Sequence, residues 1–152
     1  DFEGDTVYGS VGKGYLVTGV DRQSRQFVAA IAKDKKLEST NSAFISAFAN
    51  AEIKVQPLTL TLDNGTEFLG FKELEKELGI KVYFADSHSP WQRGSNENIN
   101  GLVRFFFPRG TDFNKVTKEQ LDAVVSLINN RPRKCLGFLS PNEFLKKVLH
   151  LA

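Results

Sequence analysis

Leu58-Thr59-Leu60-Thr61-Leu62 runs directly into Asp63-Asn64-Gly65-Thr66-Glu67-Phe68, and this junction decides the fold. Strict alternation of leucine and threonine is the pattern of a strand with one apolar and one polar face. Beyond it Phe68, Phe71, Leu74 and Leu78 recur at helical spacing, and Gly79 marks a stop. Asn64-Gly65 is a turn signal and Thr66 a helix N-cap, so Asp63 stands where a strand ends. Thr59, Thr61 and Asp63 share one strand face, opposite the leucines. An acid at the carboxyl end of a strand, beside a tight turn, lies where open α/β sheets place their ligands. The competing reading of Asp63 is structural, an aspartate that opens an Asx-type turn.

Working outward, a helix over 67–78 and a short strand from Ile80 to Phe84 complete a strand–helix–strand unit. Such a unit implies a parallel pair with a right-handed crossover. Upstream, strands are expected at Gly4 to Val11, Tyr15 to Val20 and Gln26 to Ala32, separated by Gly12-Lys13-Gly14 and Asp21-Arg22-Gln23-Ser24. Turns this short imply an antiparallel meander. The second strand is almost continuously apolar, as expected of a strand covered on both faces. A helix from about Ser39 to Ala51 turns Phe44, Ile45 and Phe48 inward.

Residues 85–94 form a polar loop, and a helix follows from about Asn96 to Phe107, stopped by Pro108. Thr117-Lys118-Glu119-Gln120 and Ser140-Pro141-Asn142-Glu143 are capping boxes that open two further helices. The first turns Leu121, Val124, Val125 and Ile128 inward and ends at Arg131-Pro132; the second runs to about Leu149. The sum is an α/β fold: a five-stranded mixed sheet, three antiparallel strands plus two parallel, with helices on both faces. That is the element order of ribonuclease-H-like domains.

A length of 152 residues fits one domain, 1–152, with room for a real core. Net charge is only +2, from 20 Lys and Arg against 18 Asp and Glu, so bulk charge does not select a polyanionic partner. No apolar run approaches the roughly 20 residues of a membrane span. The single cysteine, Cys135, excludes an internal disulfide and points to a reducing compartment. With one Cys and two well-separated histidines, His88 and His150, a zinc cage is not expected.

Three acids stand out: Asp5 in the first strand, Asp63 at the end of the fourth, and Glu97 at the start of the helix before Pro108. If the first and fourth strands are neighbours, Asp5 and Asp63 converge. Ile99, Leu102, Val103 and Phe106 mark the apolar face of the helix, and Glu97, Gly101 and Arg104 fall on the other side. A lone glutamate there is ordinarily a solvated residue. Carboxylates held close repel one another unless a cation neutralises them. Acids without Cys or His partners suit a hard cation, Mg²⁺ or Mn²⁺. Two such ions about 4 Å apart serve phosphoryl transfer, and Asp5 is the natural bridge. Glu3 competes with Asp5 on spacing alone, and Asp21 and Asp86 are further candidates. Trp91, Gln92, Arg93, Arg104, Arg109, Arg131, Arg133 and Lys134 follow in a basic and aromatic series that reads as a phosphate-contacting track near the acids.

Taken together these segments resemble the catalytic core of DDE transposases and retroviral-type integrases, most closely the bacterial insertion-sequence-thirty type. The resemblance rests on Glu3-Gly4-Asp5, on Asp63 to Phe68, on Ser89-Pro90-Trp91-Gln92-Arg93-Gly94-Ser95-Asn96-Glu97 continuing to Arg104, and on Pro108 to Phe113. Asn129-Asn130-Arg131-Pro132-Arg133-Lys134-Cys135-Leu136-Gly137 and Ser140-Pro141 complete it. The 33 residues between Asp63 and Glu97 fit the spacing of that branch. Ser87-His88 departs from the family's frequent Pro followed by an aromatic.

The resemblance implies a ribonuclease-H-like domain with Asp5, Asp63 and Glu97 as catalytic, metal-binding triad, holding two Mg²⁺ with Mn²⁺ as a substitute. It implies hydrolysis of phosphodiesters at transposon ends and transfer of the 3′-OH into target DNA. Trp91, Gln92, Arg93, Asn100, Arg104, Arg131, Arg133 and Lys134 become the expected DNA-binding residues. The expected partners are DNA and further copies of the chain, with no membrane and no small-molecule cofactor, in a bacterial cytoplasm and nucleoid-associated. The start at Asp1 and the absence of methionine are expected of an excised domain whose N-terminal DNA-recognition region lies outside it. A different class is an inactivated or domesticated DNA-binding or assembly module of the same fold. A plain ribonuclease H, cutting RNA–DNA hybrids without joining, is a third.

Overall fold

The alternating leucine–threonine stretch forms strand β4 (Thr59–Leu62), parallel to β1 (Phe2–Val7) on one side and to β5 (Lys81–Phe84) on the other. β2 (Tyr15–Asp21) and β3 (Phe27–Ala32) continue from β1 as the antiparallel meander. The order across the five-stranded sheet is β3-β2-β1-β4-β5. This computed structural model describes residues 1–63, 70–85 and 94–150, with the backbone alone for 94–97.

Helices cover both faces. On the face of Phe2, Val17, Val28, Ala30, Leu60 and Leu62 lie α1 (Leu37–Ala49) and α2 (Phe71–Leu78), burying Phe44, Phe48 and Leu74. On the face of Val7, Leu16, Val20, Phe27 and Ala29 lie α3 (Gly94–Phe106) and α4 (Lys118–Asn129), burying Ile99, Val103, Leu121 and Ile128. α5 (Pro141–Val148) closes the chain. The second helical layer stops short. α3 packs on β1 and β2 and α4 on β3, so among the described residues neither helix is laid over the polar face of β4 and β5. A cleft of about 420 Å³ lies there, lined by Arg22, Thr59, Thr61 and Tyr83 among others.

Local signals act as expected at most ends. Both capping boxes form in full, at Thr117 with Gln120 and at Ser140 with Glu143. Gly79 ends α2 in the left-handed region at φ 64°. The first strand is a correction: it spans Phe2–Val7, not Gly4 to Val11. Its last partner is Leu16, and the chain then leaves the sheet to meet another loop. There the Gly110 N–H donates to the Gly9 carbonyl at 2.9 Å, and a Cβ at Gly9 would lie 2.2 Å from the Thr111 carbonyl oxygen. α1 lies two residues earlier than expected at both ends, and α3 starts two residues earlier. Short 3-10 helices at Phe113–Lys115 and Lys134–Leu136 carried no periodic signal. The Asn64-Gly65 turn and the Thr66 cap fall outside the described residues.

One buried side chain ties the last turn of α4 to the sheet. Asn129 accepts the Phe27 N–H through Oδ1 at 2.8 Å and donates from Nδ2 to the Phe27 carbonyl at 2.8 Å. It serves β3 where that strand begins, with the residue 3% exposed. Asn129→Ala removes both bonds and leaves a buried N–H and C=O without partners. Urea unfolding is expected to show a loss of about 2–3 kcal/mol. A loss below about 0.5 kcal/mol would mean that the clamp adds nothing.

Candidate active site

The parallel pairing of β1 with β4 builds the site. Phe2 faces Leu60 and Glu3 faces Thr61. Two residues further along β1 comes Asp5, and Asp63 directly follows Leu62, the last residue of β4; alternation carried one residue on assigns both to one face. The opposite face of β1 carries Gly4, where a Cβ would lie 2.6 Å from Leu62 Cδ2 and 3.2 Å from the Phe44 ring. Lacking that atom, Gly4 lets the β4 leucines and α1 pack against β1. The two acids are thereby held on neighbouring strands by the apolar contacts behind them.

α3 is fastened over β1 by a polar contact. Asn100 Nδ2 donates to Asp5 Oδ2 at 3.0 Å. Glu97 occupies the position three residues before Asn100, one helical turn earlier on that face of the backbone. Asp5 is paired across the sheet with Thr18, whose hydroxyl is buried. Thr18 Oγ1, Asn100 Oδ1 and Arg104 Nη1 are buried and lack a hydrogen-bond partner among the described residues. The seam between α3 and the sheet is thus polar around Asp5 and apolar elsewhere, through Ile99 and Val103. Asn100, expected to touch DNA, has its amide hydrogen-bonded to Asp5.

Glu3 is separated from Asp5 by its surroundings. It is 1% exposed, and its Oε1 lies 3.8 Å from Arg22 Nε. Arg22 also donates from Nη2 to Thr61 Oγ1 at 3.4 Å. A guanidinium already stands where a cation would approach Glu3. Asp5 is only partly buried. The spacing of the sequence could not reveal Arg22 or Thr18, because each meets its acid across strands. Asp86, Trp91, Gln92 and Arg93 lie outside the described residues. Arg131, Arg133 and Lys134 follow α4, near the β2–β3 turn that adjoins Phe2. This is the end of the sheet away from Asp63, so the expected basic track near the acids is not continuous.

The donor set fits a hard divalent cation. Asp5 and Asp63 offer oxygen alone, and Thr18 Oγ1 and Asn100 Oδ1, buried and without a partner among the described residues, belong to residues that meet Asp5. No group of three His, Cys, Asp or Glu that could hold a metal exists among the described residues. A third carboxylate ligand would therefore have to come from the first turn of α3 or from outside those residues.

The comparisons with known proteins bear on the family and the fold. The chain belongs to the integrase core domain family, whose pattern matches residues 2–90. It is 40% identical over 150 residues to the transposase for insertion sequence element IS4351 of Bacteroides fragilis, covering 99% of this chain and 45% of that protein. It is 40% identical over 146 residues to the transposase InsI for insertion sequence element IS30A of Escherichia coli K12, covering 96% of this chain and 38% of that protein. The chain thus spans less than half the length of these relatives. Its fold matches the catalytic core domain of BIV integrase, with a TM-score of 0.72 at 17% identity over 98% of this chain and 95% of that one. It also matches a chain of the simian T-cell lymphotropic virus intasome in complex with PP2A regulatory subunit B56 gamma, with a TM-score of 0.70 at 19% identity, over 94% of this chain and 52% of that one. These solved cores carry the ribonuclease-H-like fold that the strand order describes. No helix among the described residues is long and apolar enough to cross a membrane.

Asp21, a candidate on spacing alone, is used by the β2–β3 turn. Its Oδ2 accepts the Ser24 N–H at 2.7 Å and the Ser24 hydroxyl at 2.8 Å, and its Oδ1 meets the N-terminal ammonium at 2.9 Å. Burial pushes the carboxyl up, but these donors outweigh it and hold it below the usual range. An acid depressed in the folded state stabilises above its unfolded pKa and loses that contribution as pH falls through the folded value. The stability gap between wild type and Asp21→Asn, on the order of 1 kcal/mol, is therefore expected to hold from neutral pH down to about pH 4. It should shrink below that. A gap unchanged in strong acid, read by urea unfolding, would remove the carboxylate from the turn's energetics.

Proposed function

We propose that this chain is the catalytic core of a DDE transposase, with Asp5, Asp63 and Glu97 as the catalytic, metal-binding triad. The observation that carries the reading is the matched placing of Asp5 and Asp63 on parallel neighbours, with α3 fastened to Asp5 by Asn100. The 40% identity to insertion-sequence transposases supports it. Water attacks a phosphodiester at the transposon end, the P–O3′ bond breaks, and the strand leaves with a free 3′-OH. That 3′-OH then attacks a target phosphodiester, displacing a second 3′ oxygen, so the number of phosphodiester bonds is conserved in the joining step.

Asp5, Asp63 and Glu97 would hold two Mg²⁺, or Mn²⁺ in their place. When bound, such ions supply nucleophile activation and neutralise the charge of the leaving oxygen. Asn100 sets the rotamer of Asp5. Arg104, one turn beyond Asn100, brings a cation to the same seam, and Trp91, Gln92 and Arg93 precede α3 as DNA-contacting residues. Cutting and joining two ends calls for more than one copy of the chain, and one solved relative is described as an intasome. Bacterial relatives support action on bacterial DNA, and we infer that the work is done in the cytoplasm, at the nucleoid.

Calorimetric titration of Mn²⁺ or Mg²⁺, with and without duplex DNA, tests the reading. Wild type is expected to bind metal, and Asp63→Asn to lose it with an unchanged circular dichroism spectrum. Absence of binding to folded wild type, even with DNA, would leave an inactivated DNA-binding or assembly module as the better description. Asn100→Ala is expected to weaken metal affinity about 10- to 100-fold, the usual cost of losing a group that orients a ligand. Unaltered affinity would reduce Asn100 to a packing contact.

A further inference from the structure

Thr18 is the middle residue of β2 and is wholly buried, at 0% exposed. It is paired directly across from Asp5, so the two side chains stand on one face with their β-carbons about 5 Å apart. Leu16 and Val20 flank it along β2, and Ala29 is its partner on β3. α3 covers this row with Ile99 and Val103. A side chain so placed is expected to be apolar. Valine has the shape of threonine and suits a strand as well, with no oxygen to bury.

The Thr18 hydroxyl nevertheless has no hydrogen-bond partner among the described residues. Burying an unpaired hydroxyl works against folding. Five described side chains bury such an atom, and three of them, Thr18, Asn100 and Arg104, stand on β2 and α3, the elements that pack on β1. The side chains beside Thr18 in the sheet are Leu16, Val20 and Ala29, which accept nothing, and Asp5. Asp5 Oδ1 accepts the Thr6 N–H at 2.8 Å, and Oδ2 accepts the Asn100 amide at 3.0 Å. An ionised carboxylate has about four acceptor sites, so a hydroxyl donor adds to these bonds without replacing them. A hydroxyl that lowers stability and bonds to nothing in one arrangement of Asp5 is explained by a bond made in another.

We propose that Thr18 is a positioning residue for Asp5, its hydroxyl donating to the Asp5 carboxylate when that carboxylate takes a divalent cation. The bond steadies Asp5 from the β2 side as Asn100 does from α3, and the two donors together select the lone pairs left to the cation. Thr18 is buried away from DNA and from the cation, and it acts through Asp5 alone. Donors behind a ligating carboxylate are worth roughly 10- to 100-fold in metal affinity. This rests on the metal-binding reading of Asp5 given above and deepens it.

Two substitutions separate the hydroxyl from its shape. Thr18→Val keeps the shape and removes the oxygen, and Thr18→Ser keeps the oxygen and removes a methyl group. Melting of the 152-residue chain is followed in EDTA and in saturating Mn²⁺, and calorimetry gives the Mn²⁺ affinity, with and without duplex DNA. In EDTA Thr18→Val is expected to melt no lower than wild type and up to about 4 °C higher. Thr18→Ser is expected to melt below wild type, because it leaves a gap in the core. Mn²⁺ affinity is expected to fall about tenfold in Thr18→Val and to return to the wild-type value in Thr18→Ser. The least stable of the three chains then binds metal better than the most stable, a pattern that damage to the fold does not produce.

Wild-type Mn²⁺ affinity in Thr18→Val would overturn the role, and so would an equal loss in Thr18→Ser, which would trace the effect to shape. Melting of Thr18→Val well below wild type in EDTA would make the hydroxyl a structural group and overturn it too. Failure of the underlying reading looks different. Wild type itself would then show neither Mn²⁺ binding nor a melting shift in Mn²⁺, matching Asp63→Asn, and the role of Thr18 would fall with it. Full binding by wild type and Thr18→Val alike removes Thr18 and leaves the metal-binding acids standing.

Discussion

The parallel pairing of β1 with β4 is the constraint on which the rest depends. Neither strand is long, and their register is enforced from behind, where Leu60 and Leu62 pack with Phe2 and Phe44 around Gly4. A slip of one residue would send the leucines to the polar face and Asp63 into the core. The hydrophobic layer thus decides which side chains meet on its far side. α3 then adds the third element, fastened by Ile99 and Val103 through apolar burial and by Asn100 through Asp5. Apolar contacts hold α3 against the sheet, and the Asn100 amide adds a polar contact to Asp5.

Polar groups inside this seam work against stability. Thr18, Asn100 and Arg104 each bury an atom that no described neighbour satisfies, and Glu3 buries an oxygen beside its contact with Arg22. A domain built only for stability would fill such places with apolar side chains. Their concentration along the β1–α3 contact sets that contact apart from the α1–α2 layer, where the sheet meets phenylalanine and leucine. The same tension recurs at Arg133, on the far end of the sheet.

Membership of the integrase core domain family is carried by this framework and not by overall composition. The net charge of +2, from 20 Lys and Arg against 18 Asp and Glu, does not mark the family. Solved cores under 20% identical superpose over nearly the whole chain, which is what a fold specified by layer pattern and strand order allows.

By itself the sequence determined the elements and their class. Alternation at 58–62, the capping boxes at Thr117 and Ser140, and Gly79 are local signals, acting within a few residues, and each is found where it pointed. Order and spacing of these elements sufficed for a mixed five-stranded sheet, and Asp63 was marked by the end of its own strand. Spacing alone left Glu3 and Asp5 equivalent on one strand face, and only the tertiary structure showed what comes to each from β2 and β4: Arg22 and Thr61 for one, Thr18 for the other. Only it turned Asn100 toward Asp5 across 95 residues of chain, ended β1 at Val7 to meet Thr111, and parted the late arginines from the acids. The physical reason is the same in each case. Periodicity records which face a residue takes on its own element, whereas burial, charge pairing and hydrogen bonding depend on which other element covers that face.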